Sequence, residues 1–284
     1  MPLPADFDLD DFVKRVLAED FGSGGDVTSN ATISEYASFT AEMKCRQKIV
    51  AAGLDVAAAF FRALDRDVEI EQLVHDGDRL SHGTVLMRLS GKARAMLAAE
   101  RPALNTLQHL SGVATLTRQY VDAIDGTGAV VLDTRKTIPG LRLLEKYAAR
   151  MGGAENHRMR LDDGVLIKDN HVAVCGGVGE AVKRANAANT GLQIQVEVDR
   201  IDQIEPALAA GADRLLLDNM DPAKLREAVT LVAKRVPLEA SGGVTLDTIR
   251  FLAETGVDFI SVGPIAQSAP AVDIGLDYSL ASAS

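Results

Sequence analysis

The sequence predicts an α/β fold in two parts, and three observations carry that expectation. The second half alternates short apolar runs with helical stretches. Each run is nearly continuous in Val, Ile and Leu, as a strand covered on both faces is. The chain is 47% hydrophobic but only 4% aromatic, so any core is built from small aliphatic side chains. Repeated strand–helix units imply parallel strands with right-handed crossovers. The first hundred residues lack that rhythm and read as a mixed N-terminal part.

Taken in order, residues 8–20 predict an amphipathic helix, with Leu9, Phe12, Val13, Val16 and Leu17 on one face. FGSGGD (21–26) breaks it. Residues 38–52 alternate as strands do, and 53–65 form a second helix. VEIEQLV (68–74), the turn HDGD (75–78) and TVLMRLSG (84–91) read as antiparallel strands. The stretch DGDRLSHGTVLMRLSG resembles swivelling carrier domains, but no Met-Lys-Met follows it and Lys92 begins a helix. Residues 92–124 predict a long helix, broken near Ser111-Gly112, that links the two parts.

Strands are then expected at 129–134, 164–169, 193–198, 213–218, 236–241 and 257–262. Helices are expected at 141–150, 177–188, 200–210, 221–234 and 245–255. About six units are visible, short of the eight of a full TIM barrel. The residues alone leave an incomplete barrel and an open doubly wound sheet both standing. Domains are expected over 1–112 and 113–284, with the last ~15 residues returning to the N-terminal domain.

A formal net charge of −10 argues against nucleic acid as a partner, and no basic stripe with interleaved aromatics occurs. Cys45 and Cys175 are far apart and form no CxxC, which fits free thiols in a reducing compartment. No apolar run approaches the ~18–20 residues of a membrane span. MPLPADFDLDDF is acidic where a signal peptide is basic, so a cytoplasmic protein is expected. The ASAS tail (281–284) is expected to fray.

Against this acidic background, residues 133–171 stand out: DTRKTIPGLRLLEKYAARMGGAENHRMRLDDGVLIKDNH. Arg135, Lys136, His157, Arg158 and Lys168 cluster there, beside the ends of apolar strands. Donors gathered at strand ends suit a small polyanion better than a core. The later strands end in Glu197, Asp218, Ser241 and Gly263. Ligands bind on this carboxyl-end rim in parallel α/β folds. Glu197 and Asp218 are hard carboxylates that suit Mg²⁺, directly or through water, or ribose hydroxyls; an ion pair with Lys168 is the plainer reading. Ser241-Gly242-Gly243 and Val262-Gly263-Pro264 suit phosphate, because bare backbone N–H groups can approach it closely. There is no GxxxxGK[ST], HExxH or Cys/His cluster, which argues against a P-loop or zinc site. His75, His82 and His109 are expected to be ordinary, and His171 to orient the Lys168 loop.

The central run resembles the signature of the quinolinate phosphoribosyltransferase family. FGSGGDVTS (21–29), ERPALNTLQHLSGVAT (100–115) and SVGPIAQSAPAVDIGL (261–276) extend the resemblance over nearly the whole chain, in the right order. It implies an incomplete α/β barrel with a smaller N-terminal α/β sandwich domain. It also implies that Arg101 reaches into a neighbouring subunit's site, making a homodimer or larger. By the same resemblance Thr134, Arg135, Lys136, His157, Arg158 and Lys168 contact substrate, with Lys136, Lys168, Glu197 and Asp218 as catalytic groups. Ser241, Gly242, Gly243, Val262, Gly263 and Pro264 hold the 5-phosphate. Pro264 departs from the family's usual VGAL and puts only the following turn in question.

The implied reaction joins quinolinate to phosphoribosyl pyrophosphate with Mg²⁺, releasing pyrophosphate and CO₂. Alternatives are a related type II phosphoribosyltransferase acting on nicotinate or another aromatic acid, a molybdenum-associated homologue sharing TRK, and a non-catalytic sensor of phosphate ligands. The long KYAARMGGAENHRMRLDDGVLIKDNH run favours the quinolinate enzyme.

Overall fold

Asp8, whose carboxylate accepts from the Asp11 N–H at 2.9 Å, opens α1 (Leu9–Phe21). The computed structural model describes residues 2–279, so the ASAS tail lies outside the described residues. Contacts group these residues into two units: the first runs to Leu116, includes Leu143–Gly152 and resumes at Ala269; the second is Thr117–Arg142 with Gly153–Ser268.

In the first unit α2 (Val27–Thr32), capped by Asp26, precedes β1 (Ser38–Cys45). Then come β2 (Ile49–Val50), α3 (Leu54–Leu64), β3 (Glu69–Gln72), β4 (Arg79–Leu80) and β5 (Val85–Lys92). A four-stranded sheet forms among the described residues in the order β12–β1–β5–β3, where β12 is Ile274–Ser279; a smaller one pairs β2 with β4. The β3–β5 pairing is antiparallel, as the alternating pattern predicts. Strand β1 alternates exposed and buried residues because only one face is covered. Met43, Phe60, Leu86 and Met87 are wholly buried in this unit's core. Asp76, in the predicted HDGD turn, accepts from the Gly53 and Leu54 N–H groups and so holds the start of α3.

The linking helix α4 (Ala93–Ala123) is unbroken, contrary to the break expected at Ser111-Gly112. Ser111 turns its hydroxyl to the Ala52 backbone instead. A Cβ on Gly112 would lie 2.2 Å from the Pro270 carbonyl oxygen, so close approach explains this glycine.

The second unit is built on a parallel sheet. Its elements are β6 (Val130–Leu132), β7 (Val165–Ile167), α6 (Asp169–Cys175), α7 (Val178–Ala187), β8 (Ile194–Val198) and α8 (Ile204–Ala209), then β9 (Arg214–Asp218), α9 (Pro222–Val232), β10 (Leu238–Ser241), α10 (Ile249–Ala253) and β11 (Phe259–Ser261). Helix α5 (Arg142–Met151) follows β6 in sequence but falls almost wholly in the first unit. The strand order is β6–β11–β10–β9–β8–β7. The first strand pairs with the last and the rest follow in sequence, the order of a barrel left open between β6 and β7. That decides between the incomplete barrel and a doubly wound sheet, whose order would reverse at a switch point. Each parallel strand is shorter than its apolar run; β6 ends at Leu132, just ahead of buried Asp133.

One face of this sheet carries Val196, Leu215, Leu217, Ala240 and Ile260, all almost fully buried. Helix α9 buries Leu225, Ala228 and Val232 at helical spacing. Alternate residues point the other way and shape the site.

Candidate active site

A cleft of about 750 Å³ opens on that second face. Its wall includes Leu166, Glu197, Leu216, Asp218, Glu239, Ser241 and Ser261. These occupy alternate positions on successive parallel strands, so the pleat itself aims them at one space. Thr134, Arg135, Lys136, His157, Arg158, Lys168, Gly242, Gly243, Gly263 and Pro264 complete the predicted set in the same wall. Two predicted residues are not brought there. Val262 is wholly buried and donates its N–H to the Leu132 carbonyl. Arg101 lies on α4 in the first unit, exposed, 4.0 Å from Glu100.

The cationic wall is anchored by a buried acid. Residues 155–158 run beside β6, with Glu155 bridged to Leu132. Asp133, wholly buried, accepts from the His157 N–H at 2.8 Å and from Asn156 Nδ2 at 2.5 Å. Arg158 donates to the Gly164 carbonyl at 3.0 Å. Burial pulls the Arg158 pKa down, and the charge of nearby Arg135 adds to the pull. Arg135 Nε is buried with no hydrogen-bond partner among the described residues. The two guanidiniums thus lie close enough for their charges to oppose each other, with Asp163 partly offsetting the effect on Arg158. Opposite, the Lys168 N–H donates to His171 Nδ1 at 3.0 Å, so His171 does orient this loop.

The acidic wall behaves in mirror image. Burial raises the Glu197 pKa and the charge of Asp218 raises it further, with Lys168 opposing. Burial likewise raises Asp218, against a hydrogen bond from Asn219 and the charge of Lys168. Lys168 Nζ stands 3.9 Å from Glu197 Oε2, too far for a tight ion pair. No group of three or more metal-ligating side chains occurs among the described residues. Two carboxylates that repel each other in a half-buried wall still fit Mg²⁺, which takes one or two protein carboxylates and completes its shell with water and phosphate.

The glycines are explained by their neighbours. Gly242 has φ +94°, and a Cβ there would lie 2.1 Å from Asn219 Oδ1. A Cβ on Gly263 would lie 2.9 Å from Lys136 Cδ. Lys136 therefore lies across Gly263, beside the proposed phosphate loop. Asn219 itself was not singled out from the sequence. It sits at φ +54°, donates to Asp218 Oδ2 at 2.7 Å and donates its N–H to the Ser241 carbonyl at 2.9 Å. Its only sequence signal is an Asn, tolerant of this backbone, directly after a strand-end acid. Gln195, Arg214 and Glu239 were also missed; the alternation in QIQVEV places Gln195 on the face of Glu197.

A parallel, open barrel whose strand-end cleft joins cations, carboxylates and glycine loops defines an α/β-barrel protein built to bind a phosphorylated, polyanionic ligand. The comparisons narrow that class. The model for the quinolinate phosphoribosyl transferase C-terminal domain matches residues 113–277, and that for the N-terminal domain matches 26–111. The chain is 41% identical over 277 residues to the "probable nicotinate-nucleotide pyrophosphorylase [carboxylating]" of Bacillus subtilis, covering 97% of this chain and 95% of that protein. It is 42% identical over 275 residues to the nicotinate-nucleotide pyrophosphorylase [carboxylating] of Mycobacterium leprae, covering 94% and 96%. A solved structure of the nicotinate-nucleotide pyrophosphorylase from Francisella tularensis superposes with a TM-score of 0.92 at 37% identity, covering 98% of this chain and 100% of that one. The chain belongs to the quinolinate phosphoribosyltransferase family.

Proposed function

We propose that this chain transfers the phosphoribosyl group of phosphoribosyl pyrophosphate to quinolinate with decarboxylation, giving nicotinate mononucleotide, pyrophosphate and CO₂ for NAD biosynthesis. The observation that carries this reading is the gathering of Arg135, Lys136, Arg158 and Lys168 in the wall of one cleft, with Arg135 Nε buried and unpartnered among the described residues. A 2,3-diacid supplies two carboxylates to such a cluster, each able to accept forked, charge-assisted bonds.

The chemistry then needs positioning and charge more than a covalent nucleophile, and none is assigned. The ring nitrogen's lone pair forms the bond to ribose C1 as the C1–O bond breaks, and that electron pair leaves with pyrophosphate. Lys136 and Lys168 are the groups placed to stabilise the departing charge. The ring becomes a pyridinium. When the 2-carboxylate leaves as CO₂, its bonding pair stays on C2 beside the cationic nitrogen, and a proton from water replaces it. Glu197 and Asp218 hold the ribose hydroxyls and would hold Mg²⁺, and the loops at Ser241–Gly243 and Gly263–Pro264 take the 5-phosphate. Mg²⁺, when bound, supplies Lewis-acid neutralisation of the pyrophosphate.

Arg101 completes the diacid site from a second copy of the chain, which makes a homodimer the smallest active form. Its exposed side chain, with only a distant contact to Glu100, supports this role. Mixing inactive Arg101→Ala with inactive Lys168→Ala chains is expected to restore activity; no recovery after confirmed subunit exchange contradicts a shared site. Among the described residues no helix is long and apolar enough to cross a membrane. Together with free Cys45 and Cys175 this supports a cytoplasmic enzyme.

Product analysis tests the reaction directly. Incubation with quinolinate, phosphoribosyl pyrophosphate and Mg²⁺ is expected to give nicotinate mononucleotide, pyrophosphate and CO₂ in equal amounts. In a parallel incubation with nicotinate in place of quinolinate, consumption of nicotinate, with no CO₂ released from quinolinate in the first, would overturn the assignment in favour of a nicotinate-specific relative.

A further inference from the structure

Behind His157 the hydrogen bonds run in one direction, and chemistry fixes each donor. The Arg158 backbone N–H can only donate, and it lies 2.7 Å from His157 Nδ1. Nδ1 therefore carries no proton, which assigns the ring proton to Nε2. Nε2 lies 3.1 Å from Gln195 Oε1 and 3.5 Å from Glu239 Oε2. The Gln195 amide is itself pinned, its Nε2 donating to Glu239 Oε2 at 2.8 Å. That leaves the Gln195 oxygen facing the imidazole. Glu239 is wholly buried, and Arg214 Nη2 stands 2.7 Å from the same carboxylate oxygen. The Arg214 guanidinium in turn lies over the Phe259 ring, 3.9 Å from its centroid.

The reaction proposed above employs neither Glu239 nor Gln195. Yet a buried carboxylate is costly unless its partners are well placed, and here they converge on one histidine of the cleft. Arg214 Nη2 at 2.7 Å sets a positive charge beside the Glu239 carboxylate, and the Gln195 amide gives it a hydrogen bond at 2.8 Å.

We propose that Glu239 is a positioning residue: through Gln195 it holds His157 as the neutral Nε2–H tautomer, both ring nitrogens engaged within the protein, and thereby fixes the Arg158 backbone against the diacid site. The proposal rests on reading the cleft as a diacid site. In this arrangement His157 neither gives nor takes a proton during catalysis. It adds no positive charge to the diacid site, where the charge comes from the arginines and lysines. An imidazolium at His157 would set an Nδ1 proton against the Arg158 N–H at 2.7 Å, two donors head to head. The charged and titratable groups about the ring include Glu239, Arg214 beside it, and Asp133, whose carboxylate accepts from the His157 N–H.

Two measurements test it, and the first needs no substrate. Nitrogen NMR of the imidazoles in the full-length protein at neutral pH, with His157 assigned by its loss in His157→Gln, is expected to show a protonated Nε2 and a bare Nδ1. An imidazolium or an Nδ1–H tautomer overturns the proposal, whether or not quinolinate proves to be the substrate. The second is kinetic. Glu239→Gln is expected to raise the KM for quinolinate about tenfold, with kcat and the KM for phosphoribosyl pyrophosphate nearly unchanged. An unchanged quinolinate KM, or a lower kcat accompanied only by lower thermal stability, reduces Glu239 to a structural group and contradicts the proposal. If Glu239→Gln does not fold, Gln195→Leu keeps the Glu239–Arg214 pair and cuts only the relay, and the same KM rise is expected of it.

Discussion

The two sheets handle charge in opposite ways. On the antiparallel sheet of the first unit, Glu42 pairs with Lys44 at 2.6 Å and with Arg88 at 3.1 Å, and Arg88 reaches Glu71 at 3.2 Å. Hydrogen bonds from Lys44 and Arg88 hold the Glu42 pKa below its usual range. Glu42, Lys44, Arg88 and Glu71 thus form one connected network of opposite charges. On the parallel sheet, Arg135 Nε lacks a partner among the described residues, Arg158 is depressed, and Glu197 and Asp218 are raised. Those groups are half-buried and only partly compensated, by Lys168 and Asn219 on the acids and by Asp163 on Arg158. Exposed pairs that satisfy each other contribute little, while charges held apart in a cleft cost stability and persist where a ligand completes them. The location of a protein's chemistry can thus be found from which charges remain unneutralised.

The comparison breaks most sharply on the cationic wall. Arg135→Ala and Lys168→Ala are each expected to lower kcat/KM by on the order of 10²-fold or more, measured by steady-state kinetics. Near-normal activity in either removes it from the site. On the acidic wall, Glu197→Gln is expected to lower kcat by roughly ten- to a hundredfold while the melting temperature holds or rises, because a repelling carboxylate is gone. A stability loss matching the activity loss would make Glu197 structural. Gly242→Ala is expected to raise the KM for phosphoribosyl pyrophosphate about tenfold and to destabilise by ~1–3 kcal/mol, from a strained φ and the clash with Asn219. Smaller effects belong to the first unit. Asp65 is held below its usual pKa first by the Lys92 N–H, against burial, and then by the Asp67 N–H and the Lys92 charge. A depressed acid stabilises above its unfolded pKa and loses that contribution as pH falls through its folded one. Asp65→Asn is therefore expected to lower the melting temperature at neutral pH, with the difference from wild type vanishing in acid. Glu42→Gln is expected to change neither kinetics nor melting temperature measurably.

Much of this site is legible in the residues. Runs rich in Val, Ile and Leu locate the parallel strands, because one face is wholly apolar and the other is largely covered. Strand ends then locate Arg135, Lys168, Glu197 and Asp218 on one rim. Other features depend on geometry that a linear pattern does not carry. Whether the sheet curls so that β6 meets β11 is set by twist and stagger, and six apolar runs read the same in a barrel and an open sheet. Helix α6 is masked because its residues, Asp169–Cys175, bury nothing and show no apolar face. The unbroken α4 shows the reverse error: Ser111-Gly112 looks like a breaker, but tertiary contact with Ala52 and Pro270 demands those small residues inside a helix. Asn219 owes its place to backbone conformation and Glu239 to burial; the first leaves only a weak signal, an Asn after a strand-end acid, and the second leaves none.

Calorimetric titration of the resting enzyme with quinolinate and, separately, with nicotinate tests the central idea most directly. If the two opposed guanidiniums are waiting for a diacid, quinolinate should bind about 10- to 100-fold more tightly than the monoacid, and Arg158→Ala should erase the preference. Equal affinity for the two acids in the unaltered protein would mean that these cations are not held for a second carboxylate, and the account of the cleft would fail.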